Sequence, residues 1–426
     1  MGTGIEEGWA MLFARLLQAG IRQGHIAVID HQGKRQDFGG GAPSVTLRLH
    51  DPALNWTLGL NPWLKVGEAY MDGTLTFETG SLYDLIEIAM KNTGDLTSLK
   101  SQRAFKIINR LLRWWHQHNP IGAAQQNVAH HYDLSRRLFE LFLDESMQYS
   151  CAYFPTSSTT LAEAQQAKMR HIASKLILKP GLKLLDIGCG WGGLGIYLAK
   201  TTGVHVTGVT LSKEQHDIAC ARVKAAGLEG RVEFKLQDYR LEPGRFDRIV
   251  SVGMFEHVGL KHFPEFFAKV EELLVPGGVA LLHAIGRRDG PGHTNPWLRK
   301  YIFPGGYSPA LSEVLPVVEK TGLWVTDIEI LRLHYAETLK HWRANFEANR
   351  AAIRALYDER FCRMWEFYLI GSELSFRYDY NMVFQMQLSR GIEAVPVTRD
   401  YMFDWERAEA ARPKAQMIWN NGQAAE

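Results

Sequence analysis

The chain lacks most of the features that classify a protein at a glance. Its 426 residues contain only four cysteines, Cys151, Cys189, Cys220 and Cys362, all far apart. That spacing gives no paired thiolates for a metal, and it suits a reducing compartment rather than a disulfide-stapled secreted domain. No metal is expected. No apolar run approaches the roughly 18 residues of a membrane-spanning helix. Charge of one sign is scarce too: 48 Lys and Arg nearly balance 46 Asp and Glu, for a net charge of +2. That balance gives no argument for nucleic-acid binding, so any basic surface must be local. Glu6 and Glu7 precede the first apolar stretch and Arg15 lies within it, the reverse of the charge order in a secretory signal. A cytoplasmic protein is expected, with peripheral contact at the inner membrane surface left open. At 46% apolar residues over this length, the chain reads as globular, with two or more domains.

Against these absences stands one dense stretch, Leu184-Leu185-Asp186-Ile187-Gly188-Cys189-Gly190-Trp191-Gly192-Gly193. The apolar run at 182–187 predicts a buried strand, the alternating glycines a turn, and residues 194–200 a helix. Strand, glycine turn and helix form the nucleotide-binding corner of a doubly wound sheet. Glycine lets the backbone approach a ligand because no Cβ intervenes. The spacing is read as Gly-x-Gly-x-Gly, although Gly193 also stands at the third glycine position of dinucleotide binders, and the Lys-Ser/Thr of a phosphate loop is missing. A nucleoside ligand without a pyrophosphate fits, and S-adenosylmethionine is the obvious one. The plain alternative is a glycine turn that only connects a strand to a helix.

Further strands are expected at 205–211, 232–236, 246–253 and 279–285, with helices between them at 212–226 and 263–274. This alternation predicts right-handed crossovers and a parallel sheet. Later strands are expected at 324–331 and 381–388. Residues 336–376 between them read as two long aromatic-rich helices, an insertion able to cover the site. Ahead of all this, residues 9–19 predict a helix, 25–37 a hairpin turning at His31-Gln32-Gly33, 45–49 a strand and 81–91 a capped helix. Residues 54–77 carry tryptophans, glycines and the turn signals Asn61-Pro62 and Asp72-Gly73. The expected organisation is an α+β domain at 1–97, a linker at 98–127 and an α/β domain of Rossmann-like type at 128–426.

The linker has its own character. Lys100, Arg103, Lys106, Arg110 and Arg113 are unopposed by acids and interleave with apolar residues ending in Trp114 and Trp115. A basic helix with an apolar face suits an anionic membrane surface. It equally suits a linker helix packed on its own protein.

In an open parallel sheet, ligands bind beyond the carboxyl ends of the strands. Candidates there are Asp186, Gly188, Gly190 and Gly192 after the first strand, and Thr210, Leu211, Ser212 and Gln215 after the second. Thr210 stands where a ribose-binding acid is usual, so Gln215 is the expected source of those hydrogen bonds. Asp238 and Tyr239 follow the third strand and suit the adenine edge and face. Glu256 follows the fourth strand, and His283 lies on the fifth. A carboxylate and an imidazole at adjacent strand ends can serve as, or hold, a base, although capping and core packing are the dull alternatives.

Several stretches carry a resemblance. They are His131-Tyr132-Asp133-Leu134, Met147-Gln148-Tyr149-Ser150-Cys151-Ala152-Tyr153-Phe154, the glycine stretch, Gln237-Asp238-Tyr239-Arg240, residues 246–259, Leu281-Leu282-His283-Ala284-Ile285-Gly286 and Tyr301-Ile302-Phe303-Pro304. With these the chain resembles cyclopropane-fatty-acyl-phospholipid synthases over nearly everything after Val128. Gly67-Glu68-Ala69-Tyr70-Met71-Asp72-Gly73 resembles the amino-terminal domain of the bacterial two-domain enzymes. The resemblance implies methyl transfer from S-adenosylmethionine to a cis double bond of a phospholipid acyl chain, followed by loss of a proton from the new methyl group and ring closure. It implies a bicarbonate ion as base, held by Cys151, Glu256, His283, the backbone at Ile285, and Tyr335. It adds Tyr149 and Ser150 to the cofactor site and implies a homodimer. Ser372 stands where many relatives have a cysteine, so no thiol is required there. The competing readings are an acyl-chain or small-molecule methyltransferase that closes no ring, and a non-catalytic lipid-binding protein on the same fold.

Overall fold

The computed structural model describes residues 3–94 and 134–412, with side chains from residue 12 onward. The basic linker read at 98–127, and residues 131–133 of the first family motif, lie outside the described residues. The chain divides into two compact units. One comprises residues 1–115, 293–304 and 339–380, the other 116–292, 305–338 and 381–426. The boundaries drawn from sequence placed 293–304 and 339–380 in the catalytic domain; contacts group them with the amino-terminal residues instead.

The first unit begins with helix α1 (Thr3–Gly20) and strands β1 (Gly24–Ile29), β2 (Arg35–Gly40) and β3 (Ser44–Leu49). Helices α2 (Leu54–Leu60) and α3 (Pro62–Met71) precede β4 (Leu75–Thr79) and α4 (Leu82–Lys91). The sheet runs β2-β1-β3-β4, with the expected β1–β2 hairpin antiparallel and β1 parallel to β3. Ser81 caps α4 by accepting a bond from the Asp84 N–H, as its sequence suggested. The pair Asn61-Pro62, read as a turn, starts a helix instead: Pro62 stands at the first turn of α3, where its missing N–H costs nothing.

The grouping of the later segments has a physical cause. Ile370 and Leu374 complete an apolar cluster with Leu82 and Ile86. A Cβ on Gly67 would lie 2.4 Å from the Trp297 indole nitrogen, so only glycine admits that contact. Beside it, Glu68 accepts bonds from Lys300 Nζ at 2.6 Å, Tyr301 Oη at 3.0 Å and Lys65 Nζ at 2.7 Å. Burial opposes its charged form, but the bonds from Lys300, Lys65 and Tyr301 prevail and hold its pKa at about 2. Stability from this lowered pKa is present above the ordinary carboxylate value and lost as pH falls through about 2. Glu68→Gln is therefore expected to destabilise the protein at pH 7 by about 1–2 kcal/mol, since Lys65 and Lys300 are partly solvated. Thermal melts of the variant and the parent should converge as pH is lowered towards 2. A constant difference would show that packing, not charge, holds the cluster.

The second unit carries α5 (Arg136–Phe142), α6 (Leu161–Lys175), β5 (Lys183–Ile187), α7 (Gly193–Thr202), β6 (His205–Thr210), α8 (Lys213–Ala225), β7 (Val232–Leu236), β8 (Phe246–Val252), α9 (Phe263–Leu273) and β9 (Leu274–Arg287). After the short α10 (Pro296–Tyr301) of the first unit come α11 (Leu311–Val318), β10 (Trp324–Ile330), α12 (His334–Ala348), α13 (Arg350–Leu356), α14 (Glu359–Tyr378), β11 (Asn381–Ser389) and α15 (Asp400–Ala411); α13, α14 and α12 from residue 339 onward also belong to the first unit. The seven-stranded sheet has the order β10-β11-β9-β8-β5-β6-β7. The five strands β5 to β9 pair in parallel. Strand β11 runs antiparallel to both neighbours, so the sheet is parallel only in part. Alternation sets its two faces: Leu184 packs with α6, α7 and α8, and Leu185 and Ile187 with α9 and α11. Among the described residues no helix is long and apolar enough to cross a membrane.

Candidate active site

The strand order reverses at β5, and the crevice of a doubly wound sheet lies there. A cavity occupies it, walled by the ends of β5, β6, β7 and β8 and by the segment 147–150. Gly188 and Gly190 stand on its wall with φ of +83° and +53°. A Cβ on Gly190 would meet nothing within 4 Å; the space beside it is the cavity's own. Gly188 and Cys189 both donate to the Val209 carbonyl, at 2.9 and 3.0 Å, which ties the glycine turn to the end of β6.

Tyr149, Ser150, Asp186, Gly188, Gly190, Thr210, Leu211, Gln215, Asp238 and Tyr239 all line this cavity. Two other residues read as cofactor ligands do not. Gly192 has φ +78°, and a Cβ there would fall 2.7 Å from Phe234 and 2.9 Å from Ala219, so it serves helix packing. Ser212 caps α8, its hydroxyl accepting from the Gln215 N–H. Thr210 donates to Gln215 Oε1 at 3.2 Å, so the amide nitrogen of Gln215 is not engaged by Thr210. Asp238 is bidentate to Arg240, at 2.9 and 2.6 Å, so its carboxylate is already held rigid.

Sequence reasoning missed the groups that hold the wall in place. Helix α6, opened by a capping box at Thr160 and Glu163, buries Gln165, Lys168, His171 and Lys175. These recur three or four residues apart, so they form one stripe. A polar repeat at that spacing among Met169, Ile172 and Ala173 was the available signal. Gln165 donates to the carbonyls of Ser150 (3.0 Å) and Gln148 (3.3 Å). Lys168 donates to Gln148 Oε1 and, at 2.9 Å, to Ser150 Oγ. From α8, Arg222 reaches the carbonyls of Trp191 at 2.8 Å and Ser146 at 3.2 Å. Burial brings Lys168 down to about 8, against the opposing pull of Asp144, Cys151 and Asp186. Burial pushes Asp186 up to about 7, and its Oδ2 has no hydrogen-bond partner among the described residues.

The five residues expected to hold a base are not on the cavity wall, but three of them neighbour residues that are. Glu256 is followed by His257, Cys151 follows Ser150, and His283 pairs across the sheet with Val252; His257, Ser150 and Val252 are wall residues. Glu256 is buried and accepts from the Ile285 N–H at 2.6 Å through Oε1. Its Oε2 is buried without a partner among the described residues. Burial raises its pKa to about 7, against the Ile285 hydrogen bond. The Ile285 N–H is thus spent on Glu256 rather than left for an ion. His283 is buried and held neutral: burial, then the cations Lys168, Lys175 and His171, push its pKa well below the ordinary value. Burial also raises the Cys151 thiol, so it is no thiolate. The next N–H, of Ala152, donates to Thr338 Oγ1 at 3.0 Å. Thr338 lies three residues after the buried Tyr335 on α12, so these two share a helix face.

Known proteins match this architecture. The family model described as mycolic acid cyclopropane synthetase matches residues 121–386, and a domain of unknown function matches residues 16–101. The tuberculostearic acid methyltransferase of Mycobacterium tuberculosis is 39% identical over 82% of this chain and 84% of its own. The cyclopropane-fatty-acyl-phospholipid synthase of Escherichia coli is 37% identical over 83% and 90%. A solved mycolic acid cyclopropane synthase, complexed with SAH and CTAB, superposes with a TM-score of 0.59 at 36% identity, covering 64% of this chain and 99% of its own.

Proposed function

The chain belongs to the mycolic acid cyclopropane synthetase family of S-adenosylmethionine-dependent methyltransferases, and we propose that it converts the cis double bond of an unsaturated phospholipid acyl chain into a cyclopropane ring. The observation that carries this reading is the buried, unpartnered Oε2 of Glu256 behind the cavity wall. Methyl addition to an alkene leaves a cation that must lose a proton, and this atom suits a site that holds a small polar base to take it.

S-adenosylmethionine, when bound, supplies an electrophilic methyl group. The open space at Gly190 fits it, and Tyr149, Gln215, Asp238 and Tyr239 would hold it. An alkene is a weak nucleophile, so the protein's task is alignment. Gln165, Lys168 and Arg222 fix the 146–150 wall against the glycine turn for that purpose. A bicarbonate ion, when bound, supplies a base for the proton lost on ring closure. The residues fit it in part: Glu256 Oε2 can accept its hydroxyl and the neutral His283 can donate, whereas the Cys151 thiol already donates to the Ala152 carbonyl at 3.3 Å; Tyr335 completes the set the family implies. Substrate access requires peripheral contact with an anionic membrane surface, and the basic residues of 98–127 are the proposed source. A homodimer is proposed from the family alone.

A second reading has its own support, the 39% identity to a tuberculostearic acid methyltransferase. Both readings begin with methyl transfer to an alkene and differ in the fate of the proton. The test is incubation with S-adenosylmethionine and vesicles of a cis-monounsaturated phospholipid, with and without added bicarbonate. Acyl chains heavier by one CH2, with ring protons in the NMR spectrum and a rate that rises with bicarbonate, are expected. A methylene branch, or a methyl branch on a chain that keeps a double bond, would establish the second reading, and cofactor binding without any product a lipid-binding role.

A further inference from the structure

Three polar residues form a row across neighbouring strands. Gln385 on β11 is the cross-strand partner of His283 on β9 and of Glu329 on β10. Helix α6 lies over this face of the sheet. Lys175, at its end, donates to Glu329 and, at 2.7 Å, to Gln385 Oε1. The Gln385 amide nitrogen stands 3.1 Å from His283 Nδ1. Lys175, Gln385 and His283 are each no more than 2% exposed.

The direction of every bond in this chain follows from its first member. An ammonium has donors only, so the Gln385 atom facing Lys175 must be the carbonyl oxygen. The NH2 end is thereby turned towards His283. An amide NH2 also only donates, so Nδ1 must offer its lone pair. A neutral imidazole that accepts at Nδ1 carries its proton on Nε2. The lysine therefore settles an amide orientation that is otherwise ambiguous, and the amide settles a tautomer.

We propose that Lys175 and Gln385 are positioning residues that lock His283 in the Nε2–H tautomer, making it a hydrogen-bond donor at the base site. The inference rests on the reading that His283 helps to hold an anion; it adds the reason why the imidazole presents a donor there. Two features keep the lock in place. Glu329 also accepts from His171 at 2.6 Å, and His171 faces Glu406 at 2.9 Å, so the cationic side of the row is balanced. Gln387, two residues along β11, donates to the Lys175 carbonyl at 2.5 Å and to Tyr401 at 2.8 Å, which anchors the helix end.

The experiment reads the tautomer and the turnover separately. In the 15N-labelled wild-type protein, His283 is expected to show a pyridine-type Nδ1 and a pyrrole-type Nε2. Lys175→Met frees the amide to turn over, and Gln385→Leu removes the donor. Both should average the two nitrogen signals and lower turnover by about tenfold or more, as when an outer partner of a site ligand is lost. S-adenosylmethionine affinity should not change. Lys175→Arg, another donor-only cation, should retain the wild-type spectrum and most of the rate. In a His283→Gln background, which has no tautomer to select, Lys175→Met and Gln385→Leu should have little further effect. A wild-type imidazole protonated on Nδ1, spectra unchanged in the variants, or an equal loss of rate in the His283→Gln background would each overturn the inference. His283→Gln with wild-type turnover would instead defeat the anion-site reading, and the role given to Lys175 and Gln385 with it.

Discussion

Glu256→Gln is expected to lose turnover while binding S-adenosylmethionine as the parent does. The substitution leaves volume and the Ile285 hydrogen bond in place, since the amide oxygen can accept the N–H that Oε1 now accepts at 2.6 Å. What changes is the other oxygen. Oε2 is a buried acceptor without a partner among the described residues, and an amide nitrogen in its place can only donate. One misdirected polar group at a charge-developing site costs about 2 kcal/mol or more, roughly a thirtyfold loss of rate. The same change should stabilise the fold at high pH. Burial raises Glu256 to about 7, so its favourable linkage is complete below the ordinary carboxylate pKa and is lost as pH rises through about 7. Melts of variant and parent should therefore separate in the variant's favour between pH 5 and pH 8, by up to about 3 kcal/mol. Near-parental turnover would remove Glu256 from the base site. An unchanged gap between the melts would show that its carboxyl is not strained by burial.

The parallel core was legible because its central strands, buried on both faces, read as apolar runs closed by glycine or a polar turn, while the edge strand at 232–236 was legible through its alternation and has the bounds its sequence suggested. Strand direction was not legible: Asn381–Ser389 has the same apolar character as its neighbours yet runs against them, because hydrophobicity carries no polarity. Helices α2 and α3 were hidden by Asn61-Pro62, whose turn signal is also a helix start. The cavity wall after β5 and β6 was legible through its glycines and short polar residues. Its support was not. Lys168, His171 and Lys175 are charged or titratable residues on a helix, a pattern that normally marks a solvated face, and only a partner such as Gln385, more than two hundred residues away, makes their burial tolerable. The placement of 339–380 was hidden for a similar reason, because the apolar partners of Ile370 and Leu374 lie at Leu82 and Ile86.

Two glycines of one motif are expected to fail in different ways when replaced. Gly190→Val should abolish measurable S-adenosylmethionine binding, with an affinity loss of more than about a hundredfold, while the protein stays folded. At φ +53° a β-branched side chain is strained by roughly 1–2 kcal/mol, and its Cβ would enter space where nothing stands within 4 Å. That space belongs to the cavity, so the side chain takes the ligand's volume or the turn relaxes and withdraws its backbone. Gly192→Ala should do the reverse. Its Cβ would fall 2.7 Å from Phe234 and 2.9 Å from Ala219, both members of the core between β6, β7 and α8. Overpacking of this kind costs typically about 1–3 kcal/mol, so the melting temperature should fall by several degrees. The fraction that remains folded should still bind the cofactor, because Gly192 is not on the wall. Calorimetric titration with S-adenosylmethionine, beside thermal melts of both variants, separates the two effects. Unchanged affinity in Gly190→Val would show that the cofactor does not lie against this turn, and the assignment of the cavity would fall with it.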